Sequence, residues 1–158
     1  SVIKSVTVLT DDMKVITLSN SEMKFKYRES ILQKKRGYIC LEVVFKLKYG
    51  DKELLTEIVK DRKLKRKKTQ PLEYPSAGSV FRNPSEDVFA GKLIEDLGLK
   101  GYSIGDAKIS EKHANFIINT GKSSNDIYKL IKYVKNKVYE TQNIKLKEEL
   151  RYVGRFDD

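Results

Sequence analysis

All three prolines of the chain fall between positions 71 and 84, in the stretch Pro71-Leu72-Glu73-Tyr74-Pro75-Ser76-Ala77-Gly78-Ser79-Val80-Phe81-Arg82-Asn83-Pro84. Pro71 and Pro75 fix φ and remove backbone donors, so the approach to Ser79 is predicted to be extended and rigid. Gly78 admits a close backbone approach, or a conformation that a Cβ forbids. Val80 and Phe81 then read as the start of a buried element that anchors Ser79 at its edge. In isolation the pattern fits both a held, functional hydroxyl and a proline-punctuated turn with an ordinary surface serine.

The flanking chain alternates strand-like and helix-like segments. Residues 1–9 are rich in β-branched side chains, and Asp11-Asp12 supplies turn chemistry before a second strand, Val15-Ile16-Thr17-Leu18. Tyr38 to Lys48 is predicted to be a strand with Ile39, Leu41, Val43, Phe45 and Leu47 on one face and Cys40 packed inertly on the other. Gly50-Asp51 caps a helix over 52–68, with Leu54, Leu55, Ile58 and Val59 as its apolar face and a basic end that complements the helix dipole. Ser85-Glu86-Asp87 starts a second helix that stops at Gly98, and its small residues Ala90 and Gly91 predict close packing by another element. Residues 112–119 read as a buried strand. Ser123-Ser124-Asn125-Asp126 reads as a capping box for a third helix to about Thr141, with Ile127, Leu130, Ile131, Val134 and Val138 as its stripe. Ile144 to Val153 is predicted to be a last strand, with Glu149 and Arg151 on one face. These elements make an α+β fold, with a small sheet against the helices near 88–97 and 124–141.

Charge and cysteine usage narrow the function classes. A net charge of +10 calls for an anionic partner or a soluble basic surface, and nucleic acid, a membrane surface and a nucleotide-sugar diphosphate all satisfy it. The basic run Arg62, Lys63, Lys65, Arg66, Lys67, Lys68 has no interleaved aromatics, so it lacks the pattern of a nucleic-acid patch. One cysteine and one histidine make an internal disulfide impossible and a zinc site a poor fit, consistent with a reducing cytosol. No segment approaches the length of a membrane span, and no signal-peptide pattern is present. His113, the lone histidine, reads as a structural or cleft-lining residue.

Ordered blocks along the chain resemble the UDP-N-acetylenolpyruvoylglucosamine reductase (MurB) family. Tyr27-Arg28-Glu29-Ser30 is similar to the family's Tyr-Arg-x-Ser, and Arg66 through Phe81 to its Arg-x-x-x-Gln-Pro-x-x-x-Pro-Ser-x-Gly-Ser-x-Phe. Ala90 to Glu95, Ser110 to Asn119 and Glu149-Leu150-Arg151 complete the match. Many family members carry a second glycine where this chain has Asp106, so no ligand contact is expected there.

The resemblance implies a flavoenzyme of peptidoglycan precursor synthesis that uses FAD and NADPH to reduce UDP-N-acetylglucosamine enolpyruvate. It implies that Ser79 gives the proton, that Glu149 hydrogen-bonds to the developing enolic carboxylate, and that Arg28 counters the carboxylate charge. Glu149 would have to carry its own proton to donate, which needs a secluded site. Tyr27, Arg66, Gln70, Asn83 and Arg151 are its implied substrate contacts. Residues 1–68 are then expected to be the end of a second FAD-binding domain with its linking helix, and 69–158 a substrate-binding domain of the family's C-terminal type. The family's N-terminal FAD-binding region has no counterpart in the match, so the chain alone is expected to be inactive. It is also expected to be cytoplasmic, with no nucleic-acid or membrane partner. A basic nucleic-acid-binding module, and a non-catalytic remnant that binds UDP-sugars or a protein, are the competing readings.

Overall fold

In the computed structural model, which describes residues 2–156, the chain forms an α+β fold of two compact units, Ser1–Leu55 and Thr56–Asp158. The elements run β1 (Ile3–Leu9), β2 (Val15–Ser19), α1 (Ile31–Lys34), β3 (Ile39–Phe45), α2 (Lys52–Thr69), β4 (Ser76–Ser79), α3 (Ala90–Asp96), β5 (Ser103–Ile104), β6 (Ala107–Ile109), β7 (Phe116–Asn119) and α4 (Asn125–Gln142).

The first unit holds an antiparallel sheet of order β2-β1-β3. Val6, Val8 and Met23 are its buried centre, with Ile16, Leu18, Ile31 and Val43 packed around them. Of the five apolar residues expected to share one face of β3, only Val43 packs against this core. Ile39, Leu41 and Phe45 are exposed, and Leu47 lies beyond the strand end. For Ile39 and Leu41 the physical cause is a register shift: Thr7 faces Glu42 but Val8 faces Cys40, so Leu41 is an extra residue and the two-residue alternation breaks there. Cys40 is exposed, not packed, although the shifted register sets it opposite the buried Val8. Ser30 and Gln33 form a capping box on α1 that the sequence reading did not find.

Asp51 caps α2 as expected, accepting from the Leu54 amide at 2.8 Å. The helix buries none of its residues among the described part of the chain, and Leu54, Leu55, Ile58 and Val59 are exposed.

The second unit is built on an antiparallel sheet of order β4-β7-β6-β5 covered by α3 and α4. Leu130, Ile131, Val134 and Val138 of α4 meet Ile94 of α3, Ile109 and Ile117 of the sheet, and Val80, Phe81 and Leu146 in one buried cluster. This is the predicted stripe, with Ile127 packed at its margin.

Four local expectations change. Helix α3 begins at Ala90, not near Ser85, because residues 84–89 form an irregular turn and the Asn83 side-chain oxygen accepts the Ala90 amide at 3.2 Å. Strand β7 begins at Phe116, because the Ser110 hydroxyl accepts the Lys112 and His113 amides at 3.2 and 3.4 Å and bends residues 110–113 into a turn. At the start of α4, Ser124 is helical and makes no side-chain cap, so the predicted capping box is not formed. Finally, residues 144–153 are not a strand. Asn143 adopts φ 54° and turns the chain, and the segment touches its neighbour through one isolated bridge, Phe81 with Glu148.

Candidate functional site

Ser79 is placed by a bulge. Ser76 pairs with Ile118 and Ser79 with Phe116, so β4 carries one more residue than β7 over the same span. Gly78 takes up that residue with φ 82°, a conformation that a side chain resists. A bulge of this kind re-aims the side chain that follows it. The Pro75 carbonyl accepts the Asn119 amide at 3.1 Å, which holds the approach to β4 extended.

Beyond Ser79 the chain is held from both sides. Val80 donates its amide to the Asn115 carbonyl at 2.8 Å. The Asn115 carboxamide then satisfies both backbone groups of Phe81: its oxygen accepts the amide at 2.9 Å and its nitrogen donates to the carbonyl at 2.8 Å. On the opposite edge, Arg82 donates to the Lys147 carbonyl at 2.9 Å and Glu149 to the Val80 carbonyl at 2.8 Å. This is the pattern around a non-hydrogen-bonded antiparallel pair, here Phe81 and Glu148.

Ser79 lines a cleft of about 530 Å³ with Gln70, Asn83, Phe89, Lys92 and His113 among its other walls. Three of the predicted residues, Ser79, Gln70 and Asn83, are therefore brought together. Arg66 lies one helical turn before Gln70 and donates from Nε to its side-chain oxygen at 3.3 Å, so it is linked to the cleft without lining it. Glu149 reaches the site through the backbone of Val80 but is not part of the cleft wall. Arg151 is exposed and, with no strand at 144–153, no ladder holds it on a common face with Glu149.

Tyr27 and Arg28 belong to the first unit. They form the tip of a tight reversal in which Lys26 and Glu29 exchange backbone hydrogen bonds at 2.9 and 3.1 Å. Arg28 has φ 55°, and its guanidinium lies 5.2 Å from the Tyr27 ring centre. A left-handed arginine is a costly conformation, retained where its surroundings impose it.

The sequence reading missed Phe89 and Lys92 as cleft residues because it assigned their helix to the core. The small residue Gly91 was the available signal: a Cβ there would meet His113 Cε1 at 3.2 Å, the close approach expected of it. His113 Nδ1 accepts the Asn115 amide at 3.2 Å, which requires an unprotonated Nδ1. Burial, and then the positive charge of Lys100, hold the ring's proton affinity below the ordinary histidine range. Its neutral form is thus the one the site accommodates. Lys92 pairs with Asp96, and Lys112 with Glu73, so both cations at the cleft carry a carboxylate partner. Among the described residues no cluster of three or more His, Cys, Asp or Glu could hold a metal ion, and no helix is long and apolar enough to cross a membrane.

Comparison with known proteins places these features. Residues 70–153 match the family described as UDP-N-acetylenolpyruvoylglucosamine reductase, C-terminal domain. The chain is 46% identical over 155 residues to the UDP-N-acetylenolpyruvoylglucosamine reductase of Anoxybacillus flavithermus, covering 98% of this chain and 51% of that protein. It is 49% identical over 154 residues to the reductase of the same name from Clostridium novyi, covering 97% of this chain and 50% of that one. The crystal structure of UDP-N-acetylenolpyruvylglucosamine reductase (MurB) from Thermus caldophilus superposes with a TM-score of 0.79 at 34% identity, covering 95% of this chain and 52% of that chain. The chain thus spans about half the length of the curated relatives it matches.

Proposed function

The chain belongs to the UDP-N-acetylenolpyruvoylglucosamine reductase family, and we propose that it supplies the substrate-binding half of a flavin-dependent reductase of peptidoglycan precursor synthesis. Its substrate on this reading is UDP-N-acetylglucosamine enolpyruvate, and it acts in the cytoplasm. Residues 69–158 form the substrate-binding domain and residues 1–68 the end of a flavin-binding one.

The observation that carries the reading is the meeting of Ser79, Gln70 and Asn83 at one cleft, with Glu149 hydrogen-bonded to the residue after Ser79. When bound, FAD reduced by NADPH would supply the hydride that adds to the enolpyruvyl double bond. The cleft is lined by a single glycine, Gly91, within a helix, so we assign FAD no residue of this cleft. The exposed apolar residues of β3 and those of α2 support a further part of the protein that covers them.

The residues of this chain handle the charge and the proton. As the C2=C3 bond is reduced, negative charge gathers at C2 and on the carboxylate. The Ser79 O–H bond breaks, its proton forms the new C2–H bond, and the alkoxide recovers a proton from solvent. A serine is a weak acid, so this transfer requires an acceptor as basic as an enolate. Glu149 hydrogen-bonds to the enolic carboxylate, and Arg28 offsets its charge with a planar fork of donors. Gln70, Asn83, Arg66, Tyr27 and Arg151 orient the rest of the substrate.

The test is Ser79→Ala in the full-length reductase, followed by the reoxidation of its NADPH-reduced flavin by substrate. Removing the proton donor lowers that rate by about 10²–10⁴-fold, while reduction by NADPH stays at the wild-type rate. Wild-type reoxidation by Ser79→Ala refutes the assignment.

A further inference from the structure

Glu149 stands in a segment without helix or strand, so its place depends on whatever holds the residues around it. Backbone bonds from 147 and 149 to 80 and 82 fix one edge of that segment. On the other side a set of contacts ties it to α4. The Glu148 carboxylate lies 2.7 Å from Lys135 Nζ, and the Tyr152 hydroxyl donates to the same carboxylate oxygen at 3.5 Å. Tyr152 meets Tyr128 of α4 edge-on at 5.3 Å, and Phe156 closes on both rings at 5.2 and 5.3 Å. Leu146 is buried just upstream, and Leu150 packs against the same core.

Glu148 and Glu149 are neighbours at an antiparallel bridge, so their side chains leave the backbone on opposite sides. When Lys135 draws Glu148 toward α4, Glu149 is directed the other way. A lone ion pair at a surface contributes little to stability. This one differs in consequence, because what it fixes is the rotation of the backbone that carries a candidate catalytic carboxylate.

We propose that Lys135 and Tyr152, acting through Glu148, are positioning residues that set the orientation of Glu149. The proposal rests on the reading that Glu149 contacts the substrate carboxylate. Burial, together with the charge of Glu148, pushes the Tyr152 phenol up to about 12, so it remains a donor throughout the neutral range.

The experiment uses the full-length reductase with Lys135→Met, Glu148→Gln, the exchange Lys135→Glu/Glu148→Lys, and Glu149→Gln as reference. Misplacement of a reacting group by a fraction of an ångström costs rate more than binding. Lys135→Met and Glu148→Gln are expected to lower kcat about tenfold, with KM for the enolpyruvyl substrate within about twofold and unchanged denaturation midpoints. The exchange is expected to recover kcat to within about threefold of wild type, which general loosening of the fold would not produce. Wild-type kcat in both single variants, with Glu149→Gln still impaired, overturns the positioning role alone. So does an exchange variant that folds normally yet is no faster than the singles. Full activity in Glu149→Gln overturns the underlying reading as well.

Discussion

The amide of Glu149 donates to the carbonyl of Val80 at 2.8 Å, one residue past Ser79. Neighbouring strands lie about 4.8 Å apart, so this bond brings the backbones that carry both candidate catalytic groups within one strand spacing. The ladder is short, with Asn115 and Phe116 on one edge of residues 79–82 and residues 147–149 on the other. Perturbing either edge therefore reaches the site.

Asn115 is the more sensitive edge. Replacing it by Ala removes both bonds to Phe81 and leaves a buried amide and carbonyl without partners. Each stranded group costs about 1–3 kcal/mol, so Asn115→Ala is expected to lose about 2–6 kcal/mol in urea unfolding. Asn115→Asp keeps the acceptor but sets a buried carboxylate oxygen against the Phe81 carbonyl, and is expected to lose at least as much.

Gly78 has open space where a Cβ would sit, so its substitution cost is conformational. At φ 82°, Gly78→Ala is expected to lower stability by about 1–2 kcal/mol. It should also lower kcat by relaxing the bulge that aims Ser79. A variant with wild-type stability and rate would show that the bulge does not need its glycine.

His113 makes stability depend on acidity. Its folded value lies below the ordinary 6.5, so the unfolded chain binds a proton that the folded ring resists. This contribution is intact above about pH 6.5 and is lost as pH falls below it through the folded value. Urea midpoints measured from pH 7.5 to 5 are expected to drop for the wild type over this window. His113→Gln, which cannot charge, is expected to show a shallower acid slope. Equal slopes would remove His113 as a cause.

Much of this was legible in the sequence, for identifiable reasons. The α4 stripe recurs at helical spacing over a long segment, and such periodicity survives tertiary context. The Pro75, Gly78 and Ser79 pattern carried its own stereochemistry, and Gln70 and Asn83 joined Ser79 at the cleft. The misses arose where long-range contacts override local pattern. Apolar alternation in 39–47 gave no hint of the bulge at Leu41, and residues 144–153 read as a strand although one bridge and an α4 tether hold them. Asn83 and Asn115 bind backbone 7 and 34 residues away, and no local spacing foretells those partners.

Isothermal titration of this chain with UDP-N-acetylglucosamine enolpyruvate tests the central claim most directly. The wild type is expected to bind, and Ser79→Ala to bind within about twofold of it, because proton transfer and ground-state binding are separate tasks. Arg66→Ala, which removes a charge-assisted contact, is expected to bind about tenfold more weakly. The absence of binding by a chain with an intact unfolding transition, or loss of binding in Ser79→Ala with Arg66→Ala unaffected, would contradict a substrate-binding half organised around Ser79.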